Sequence, residues 1–268
     1  MTDASIASRF RDPVMRLKDR AKDALRQVIP PHRRFVRSGK FFLRDGEREV
    51  RELARLIEPN TLTLDVGAHI GEYTYAICRH LGQDGRVIAI EPIPDLAQLI
   101  ERAVRRLRLP VTVINCALSS TAGSADLCIP VAAGRRKLGF ASLESKTTDG
   151  EVCRVALRTL DAICGDNSQR ISFIKIDVEG HELQVLRGGE KTLRRHRPNL
   201  LIEIEQRHSP IPIDQTFGFL ESLGYRGEFL DGANRRVPLS TFDPAVHQVP
   251  REEWIGTANY VSNFIFTA

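Results

Sequence analysis

The chain has 268 residues, of which 42% are hydrophobic and 27% are charged, values that exclude disorder over most of the length. Its five cysteines include no Cys-x-x-Cys pair, so we expect a reducing compartment and neither a disulfide framework nor a cysteine-based zinc site. No apolar run reaches the roughly 18 residues of a membrane span, and the first residues lack the apolar stretch of a secretory signal. We therefore expect a cytoplasmic protein.

The net charge of +5 is concentrated near the N-terminus. Residues 1–60 carry 15 Lys/Arg and 9 Asp/Glu, whereas residues 61–268 carry 24 and 25. Apolar residues at helical spacing predict an amphipathic helix that stops at Pro30 and Pro31, and a second amphipathic helix is predicted over residues 47–57. We assign residues 1–58 to a basic helical extension. It is either a solvated helix or a peripheral contact with a membrane or an acidic partner, and the confined charge disfavours nucleic acid.

From residue 61 onward, apolar strands alternate with helices. The predicted strands are residues 61–66, 86–91, 111–116, 171–177, 199–205, 225–230 and 259–266, and the predicted helices are residues 72–81, 94–109, 181–195 and 213–223. This alternation indicates an α/β fold with a parallel sheet covered on both faces. The last two strands have no helix between them, which predicts seven strands with an antiparallel strand at one edge. We assign residues 59–268 to this domain, with a loop and hairpin insertion at about 118–158.

The segment LDVGAHIGEYT, residues 64–74, joins the first strand to a helix through a glycine-rich turn. Gly67 allows a close backbone approach or a positive φ, and Gly71 allows tight packing at the helix start. Asp65 places a carboxylate at the end of the strand. Glu91 ends the next strand, 20 residues after Gly71, where an acidic residue accepts both hydroxyls of a ribose.

The glycine spacing helps to select the nucleoside. A dinucleotide site needs glycines at the first, third and sixth positions of the turn. With Gly67 as the first position, the third is His69 and the sixth is Glu72, so the pattern is not met. The phosphate-binding G-x-x-x-x-G-K-[ST] motif is absent as well. A cofactor without phosphates is therefore favoured, and S-adenosylmethionine suits a cleft lined by carboxylates.

Several separate motifs then occur in order: LDVGAHIGEYT, AIEP, ALSS, RTLD and IKIDVEGHELQVLRGG. Over residues 62–205 the chain resembles the FkbM-type methyltransferases, which are class I S-adenosylmethionine-dependent enzymes. His69 stands where that family usually has Asn. The resemblance implies a Rossmann-like class I methyltransferase fold. It also implies O-methylation of a hydroxyl on a sugar, glycolipid or related secondary metabolite.

The resemblance also implies the cofactor site. Glu91 would hold the ribose, and Asn115, Cys116 and Ala117 would flank the adenine. Tyr73 and Thr74 would contact the methionyl end. The complete predicted set is Asp65, Gly67, Ala68, His69, Gly71, Tyr73, Thr74, Glu91, Asn115, Cys116, Ala117 and Asp177.

A second group of ionisable residues follows the fourth predicted strand. Because side chains alternate along a strand, Lys175 and Asp177 share one side, with Asp177 at the carboxyl end. A sugar hydroxyl becomes a good nucleophile only when a base accepts its proton, and our candidates are Asp177, Glu179 and Glu203. Lys175 either neutralises a carboxylate or contacts the substrate. The three acids with His208 could instead bind a divalent cation, an alternative that we do not favour.

The insertion supplies further polar candidates near the cleft mouth, and such loops often determine specificity. These candidates are Arg135, Arg136, Lys137, Ser142 and Lys146.

Two other functions stay open. One is methylation of nucleic acid, although the [DNS]-P-P-[FYW] and Pro-Cys signatures are absent, and the other is a nucleoside-binding partner protein without catalytic activity.

Overall fold

The structure is a computed structural model that describes residues 29–132, 134–144, 150–165, 168–249 and 260–268. The predicted helix before Pro30 and the candidate residue Lys146 lie outside these ranges. None of the described helices is long and apolar enough to cross a membrane.

Strands and helices alternate through most of the described chain. The strands are β1 (Leu62–Val66), β2 (Arg86–Ile90), β3 (Val111–Ile114), β4 (Ala117–Leu118), β5 (Gly123–Ala132), β6 (Arg135–Arg136), β7 (Gly150–Arg158), β8 (Ile171–Ile176), β9 (Asn199–Glu203), β10 (Arg226–Leu230), β11 (Arg236–Pro238) and β12 (Asn263–Thr267). The α-helices are α1 (Pro31–Asp45), α2 (Leu53–Leu56), α3 (Glu72–Ile77), α4 (Pro94–Leu107), α5 (Leu160–Cys164), α6 (Glu182–Arg187), α7 (Glu190–His196), α8 (Asp214–Ser222) and α9 (Pro244–His247).

Within the described ranges, eight strands form one mostly parallel sheet in the order β11-β10-β12-β9-β8-β1-β2-β3. The chain runs outward from β1 to β3 in one direction and from β8 to β9 in the other, with parallel pairing throughout this half. The switch point therefore lies between β1 and β8, where ligands bind at the carboxyl ends of the strands in such sheets. The predicted α/β architecture is confirmed.

The sheet differs from the prediction in one respect. The last strand, β12, is antiparallel as expected, but it lies inside the sheet between β9 and β10. The antiparallel edge strand is β11, an eighth strand that the sequence pattern did not reveal. The interior position of β12 fits its composition, because Phe264, Ile265 and Phe266 are fully buried and apolar on both faces.

Helices cover both faces of the sheet. Successive residues of a strand point to opposite faces, and Phe173 and Ile174 on β8 accordingly join different apolar clusters. Ile174 packs in the cluster that contains Leu186 of α6. Phe173 packs in the cluster that contains Leu53 of α2 and Ile77 of α3. Both central strands, β1 and β8, are therefore buried along their whole length.

The N-terminal segment contributes a helix where the sequence predicted none. Pro31 starts α1 because the fixed φ of proline suits the first helical position. Phe35 is fully buried, and its ring packs edge-on against Tyr75 of α3 with 5.6 Å between the centroids. The helix predicted over residues 47–57 is instead a 3-10 turn, Arg48–Glu52, followed by the short α2. Contacts thus cross the predicted boundary after residue 58.

The outer surface of α1 is basic. A groove on this helix is lined by His32, Arg33, Val36, Arg37, Lys40, Phe41 and Arg44. The contact of the N-terminal extension with a membrane or an acidic partner stays a prediction.

Residues 118–158 include a long antiparallel pair, β5 with β7. Together with β4 and β6 they form a second, four-stranded sheet. The single helix predicted over residues 181–195 is interrupted, because α6 ends at Arg187 and α7 begins at Glu190, with Gly188 and Gly189 between them. A Cβ atom on Gly188 would lie 2.1 Å from the carbonyl oxygen of Ser119, so the break allows the chain after β4 to pack closely.

Candidate active site

A cavity of about 400 Å³ opens at the carboxyl ends of β1, β2, β8 and β9. Its size lies within the roughly 300–1,000 Å³ of small-molecule sites. Residues following β3, the insertion segment 138–141 and the N-terminal residues Phe42 and Glu47 complete its walls. The cavity thus occupies the switch point of the sheet.

Gly67 allows the two central strands to approach each other at the floor of the cavity. Its φ is +82°, and a Cβ atom there would lie 1.7 Å from the carbonyl oxygen of Asp177. Gly71 also has a positive φ, +86°, but its missing side chain makes room for the ring of Phe35. Gly67 therefore lines the cavity, whereas Gly71 packs against helix α1 behind it.

Glu91 lies at the end of the cavity formed by the first three strands and is only 3% exposed. One carboxylate oxygen accepts the backbone N–H of His69 at 2.7 Å, and the other accepts that of Ile93 at 2.8 Å. Burial raises the pKa of Glu91 to about 7, although these two hydrogen bonds oppose the rise. The carboxylate is therefore held in one orientation beside the cavity.

Two of the predicted cofactor residues instead support their neighbours. The Thr74 hydroxyl donates a 2.5 Å hydrogen bond to the buried Asp65 carboxylate, and burial raises the pKa of Asp65 to about 6. The Asn115 amide donates to the carbonyl oxygens of Glu91 and Pro92 at 2.8 and 3.0 Å. Both side chains fix strand ends without lining the cavity.

Most of the predicted set is nevertheless brought together. The predicted cofactor residues that line the cavity are Asp65, Gly67, Ala68, His69, Tyr73, Glu91, Cys116, Ala117 and Asp177. Those that do not are Gly71, Thr74 and Asn115.

The three predicted catalytic carboxylates all line the other end of the cavity. The side chains of Asp177 and Glu203 make no hydrogen bond with any described residue. Glu179 differs because its carboxylate pairs with the Nδ1 atom of His208. Burial, together with the charge of Asp177, raises the pKa of Glu203 well above its ordinary value.

Lys175 is fully buried beneath these carboxylates. Its ammonium group donates to the carbonyl oxygen of Ile176 at 3.3 Å and to Oδ1 of Asn263 at 3.2 Å. It also lies 5.0 Å from the centroid of the Tyr73 ring. Burial lowers the pKa of Lys175, but the surrounding carboxylates outweigh burial and raise it. Of the two predicted roles, the structure therefore supports neutralisation of neighbouring carboxylates.

Glu47 is a cavity residue that the sequence did not indicate, since it was assigned to the first position of an amphipathic helix. Its Oε2 atom accepts hydrogen bonds from the Tyr73 hydroxyl at 2.6 Å and from the Asn263 amide at 3.1 Å. Burial raises its pKa. Only the interior position of β12 brings Asn263 to this place, opposite Glu203 in the register.

Part of the insertion lies over the cavity and is tied to β8. Leu138 and Phe140 line the cavity, and the Ser142 hydroxyl donates to the carbonyl oxygen of Glu179 at 2.6 Å. The predicted basic residues Arg135, Arg136 and Lys137 do not line it. Arg136 instead forms ion pairs outside the cavity, with Asp95 at 3.3 Å and Glu151 at 3.0 Å.

The alternative metal set does not assemble into a metal site. Across the part of the chain that the structure describes, no group of three or more His, Cys, Asp and Glu side chains is arranged to hold a metal ion. In the set proposed from the sequence, Glu179 and His208 pair with each other.

Comparison with known proteins identifies the family. The model of the FkbM methyltransferase domain matches residues 65–226. The chain is 31% identical over 156 residues to the hexuronic acid methyltransferase AglP of Haloferax volcanii, a match that covers 56% of this chain and 59% of that protein. It is 26% identical over 157 residues to the methyltransferase sdnD of Sordaria araneosa, covering 48% and 60% of the two chains. The chain thus spans less than two thirds of the length of these curated relatives.

Among solved structures, the chain resembles the methyltransferase FkbM of Methylobacillus flagellatus. The two share 18% identity with a TM-score of 0.48, and the match covers 81% of this chain and 50% of that one. The family match and the sheet topology together confirm the Rossmann-like class I methyltransferase fold. Since the family model matches more than half of the residues, the chain belongs to the FkbM methyltransferase family.

Proposed function

We propose that this protein is an S-adenosylmethionine-dependent O-methyltransferase whose acceptor is a hydroxyl group of a sugar. The observation that carries this proposal is one continuous cavity with Glu91 at one end and two carboxylates, Asp177 and Glu203, at the other. Neither carboxylate accepts a hydrogen bond from a residue that the structure describes. Membership of the family supports the use of S-adenosylmethionine. The H. volcanii relative is named for a hexuronic acid, a sugar that carries a carboxylate. The name supports a sugar as the acceptor, and the class of sugar depends on the cavity of this chain.

The residues at the Glu91 end fit the cofactor. Glu91 can accept hydrogen bonds from ribose hydroxyls because its backbone partners hold both oxygens in place. The apolar side chains of Ile93, Leu118 and Leu127 line the wall beside it and suit a planar base. Asp65, which also lines the cavity, suits a cationic group. When bound, S-adenosylmethionine supplies an electrophilic methyl group attached to a positively charged sulfur.

Asp177 and Glu203 would act on the acceptor. One of these carboxylates would accept the proton of the acceptor hydroxyl, so that the oxygen gains the methyl group and loses a proton. A carboxylate with a raised pKa is the stronger base once it is ionised, which favours Glu203. The buried Lys175 attracts both carboxylates electrostatically, and rigid alignment of the reacting atoms contributes further to the rate.

Calorimetric titration with S-adenosylmethionine tests the first half of the proposal, and well-folded protein that produces no heat of binding would refute it. Mass spectrometry of glycans and lipids from host cells with and without the protein tests the second half. We expect one species to gain the mass of a methylene group, and a gain seen only in nucleic acid would refute the sugar acceptor.

Variants separate catalysis from binding. Glu203→Gln should retain cofactor binding, and Asp177→Asn with Glu203→Gln should lower the turnover of the identified acceptor by roughly 10²–10⁴-fold. Glu221→Gln removes an exposed carboxylate of α8 that does not line the cavity, and it should have no effect. Full turnover in the double variant would show that the base is assigned to the wrong residues.

A further inference from the structure

The end of the cavity opposite Glu91 is called the acceptor half here. Its ionisable residues are supplied by the N-terminal segment and by β8, β9 and the residues that follow these strands. They are the acidic residues Glu47, Asp177, Glu179, Glu203 and Glu205 and the basic residues Lys175 and Arg207. His181 also follows β8 and lines the cavity, and it pairs with Glu144. Carboxylates thus outnumber cations in this half.

Some of these charges already have partners within the protein. The Arg207 guanidinium donates to both carboxylate oxygens of Glu205, at 2.7 and 2.9 Å. This bidentate pair fixes the guanidinium on a neighbouring carboxylate. Glu179 pairs with His208. Neither Arg207 nor Glu179 therefore brings an uncompensated charge to a ligand.

Lys175 remains as the cation for three carboxylates, Glu47, Asp177 and Glu203. Its ammonium group is fully buried and donates to Ile176 and Asn263, so it balances the carboxylates from below. If all three were ionised, their charge would exceed that of the one ammonium, and Asp177 and Glu203 have no hydrogen-bond donor among the described residues. Burial and the charge of Asp177 raise the pKa of Glu203. Glu203 thus relieves part of the negative charge by holding a proton, which a cation placed beside it would release.

A ligand entering the acceptor half meets this surplus. A carboxylate on the ligand would lie against the carboxylates of the protein in a poorly solvated site, which is strongly unfavourable. A protonated amine would supply the hydrogen-bond donors and the positive charge that the site lacks.

We infer that the acceptor is an amine-bearing sugar and that the acceptor half excludes carboxylated sugars. Neutral sugars should bind with an affinity between those of the two charged classes. This inference rests on the proposed function, because it concerns the acceptor of the same cavity. Rejection by unpaired like charge is a common source of specificity.

The test uses matched acceptors with the full-length protein. The protein is first saturated with sinefungin, an unreactive cofactor analogue that carries an amine in place of the sulfonium. It is then titrated calorimetrically with methyl glycosides of glucosamine, glucose and glucuronic acid. The corresponding galacto series is titrated in the same way. We expect the amine-bearing glycosides to bind roughly tenfold or more tightly than the carboxylated ones. Initial rates of methyl transfer from S-adenosylmethionine should follow the same order.

The variants give a second readout. Asp177→Asn with Glu203→Gln should bring the ratio of the two affinities close to one, whereas the control Glu221→Gln should leave it unchanged. Equal or tighter binding of the carboxylated glycosides would overturn the inference. So would sinefungin binding without binding of any glycoside, and in both cases cofactor binding would still support the proposed function. Failure of sinefungin itself to bind would refute the proposed function instead.

Discussion

Glu91 determines how cofactor affinity should depend on pH. Its carboxylate borders the cavity, and burial raises its pKa to about 7. Ribose hydroxyls donate to the ionised form, so binding must first remove the proton at lower pH. We predict that the affinity for S-adenosylmethionine rises from about pH 5 to about pH 7, by up to roughly tenfold per pH unit, and then levels off. Calorimetric titration across this range measures the effect.

Glu182 provides a matched control for Glu91. Burial raises its pKa to about 7 as well, but its carboxylate accepts the backbone N–H of Gly180 at 2.9 Å and does not line the cavity. Glu91→Gln should weaken binding and remove most of the pH dependence, leaving the smaller contribution of Asp65. Glu182→Gln should leave the profile intact. An affinity of the unmodified protein that is independent of pH would contradict the role given to Glu91.

Gly67 and Gly218 are predicted to respond to alanine in opposite directions. Alanine at position 67 would combine a positive φ with an overlap against the Asp177 carbonyl oxygen, and we expect a loss of at least about 1–3 kcal/mol. Gly218 lies inside helix α8 with no atom near its Cβ position, so alanine should stabilise by about 0.5–1 kcal/mol. Denaturant unfolding of both variants measures the difference, and equal effects would contradict this explanation.

The residues of the site differ in how far the sequence reveals them. Gly67 and Glu91 could be predicted because a strand end, a glycine turn and an acidic residue at fixed spacing leave a local pattern. Thr74 and Asn115 carry the same pattern, but they bond to Asp65 and to backbone carbonyls instead of lining the cavity. Glu47 leaves no local pattern, because its place in the cavity depends on contacts made across most of the chain.

At the scale of elements, helix α1 packs against the glycine turn after β1 from outside the region that the family model matches. Phe35 is fully buried against Gly71 and Tyr75, whereas Phe41 on the same helix is 56% exposed. We predict that Phe35→Ala lowers the free energy of unfolding by about 3–5 kcal/mol. It should also weaken cofactor binding, since Gly71 begins helix α3 beside the cavity.

Phe41→Ala is the matched control, because it removes the same ring from the same helix. Its effect on stability should stay within about 0.5 kcal/mol. Thermal and denaturant unfolding measure both variants, with cofactor titration as the second readout. Similar stability losses in the two variants, or a negligible loss in Phe35→Ala, would show that α1 does not support the turn.

The elements that the sequence missed share a physical origin. Pro31 was interpreted as a stop, yet proline also suits the first position of a helix. Similarly, the apolar run of β12 is compatible with an edge or an interior strand, and only the pairing with β9 and β10 decides between them. Strand order depends on contacts between distant segments. The alternation of strands and helices is local, which is why the α/β fold could be predicted.

The molecule as a whole concentrates buried acidic groups around one cavity. Burial raises the pKa of Asp65 to about 6 and that of Glu91 and Glu182 to about 7, and it also raises the pKa of Glu47 and Glu203. Such groups hold protons in the folded state at a pH where the unfolded chain has released them. The stability that they contribute is complete below about pH 4 and is lost as the pH rises through their folded-state values.

We therefore predict that the thermal midpoint of the cofactor-free protein falls by several degrees between about pH 5 and about pH 8. The raised pKa of His208 acts in the same direction, whereas the lowered pKa values of His80 and His196 oppose it. Glu182→Gln should make the profile shallower, because glutamine stays neutral and can still accept the Gly180 N–H. Scanning calorimetry across this range measures the midpoint. A midpoint that stays constant or rises with pH would show that ionisation of these buried carboxyl groups does not destabilise the folded state.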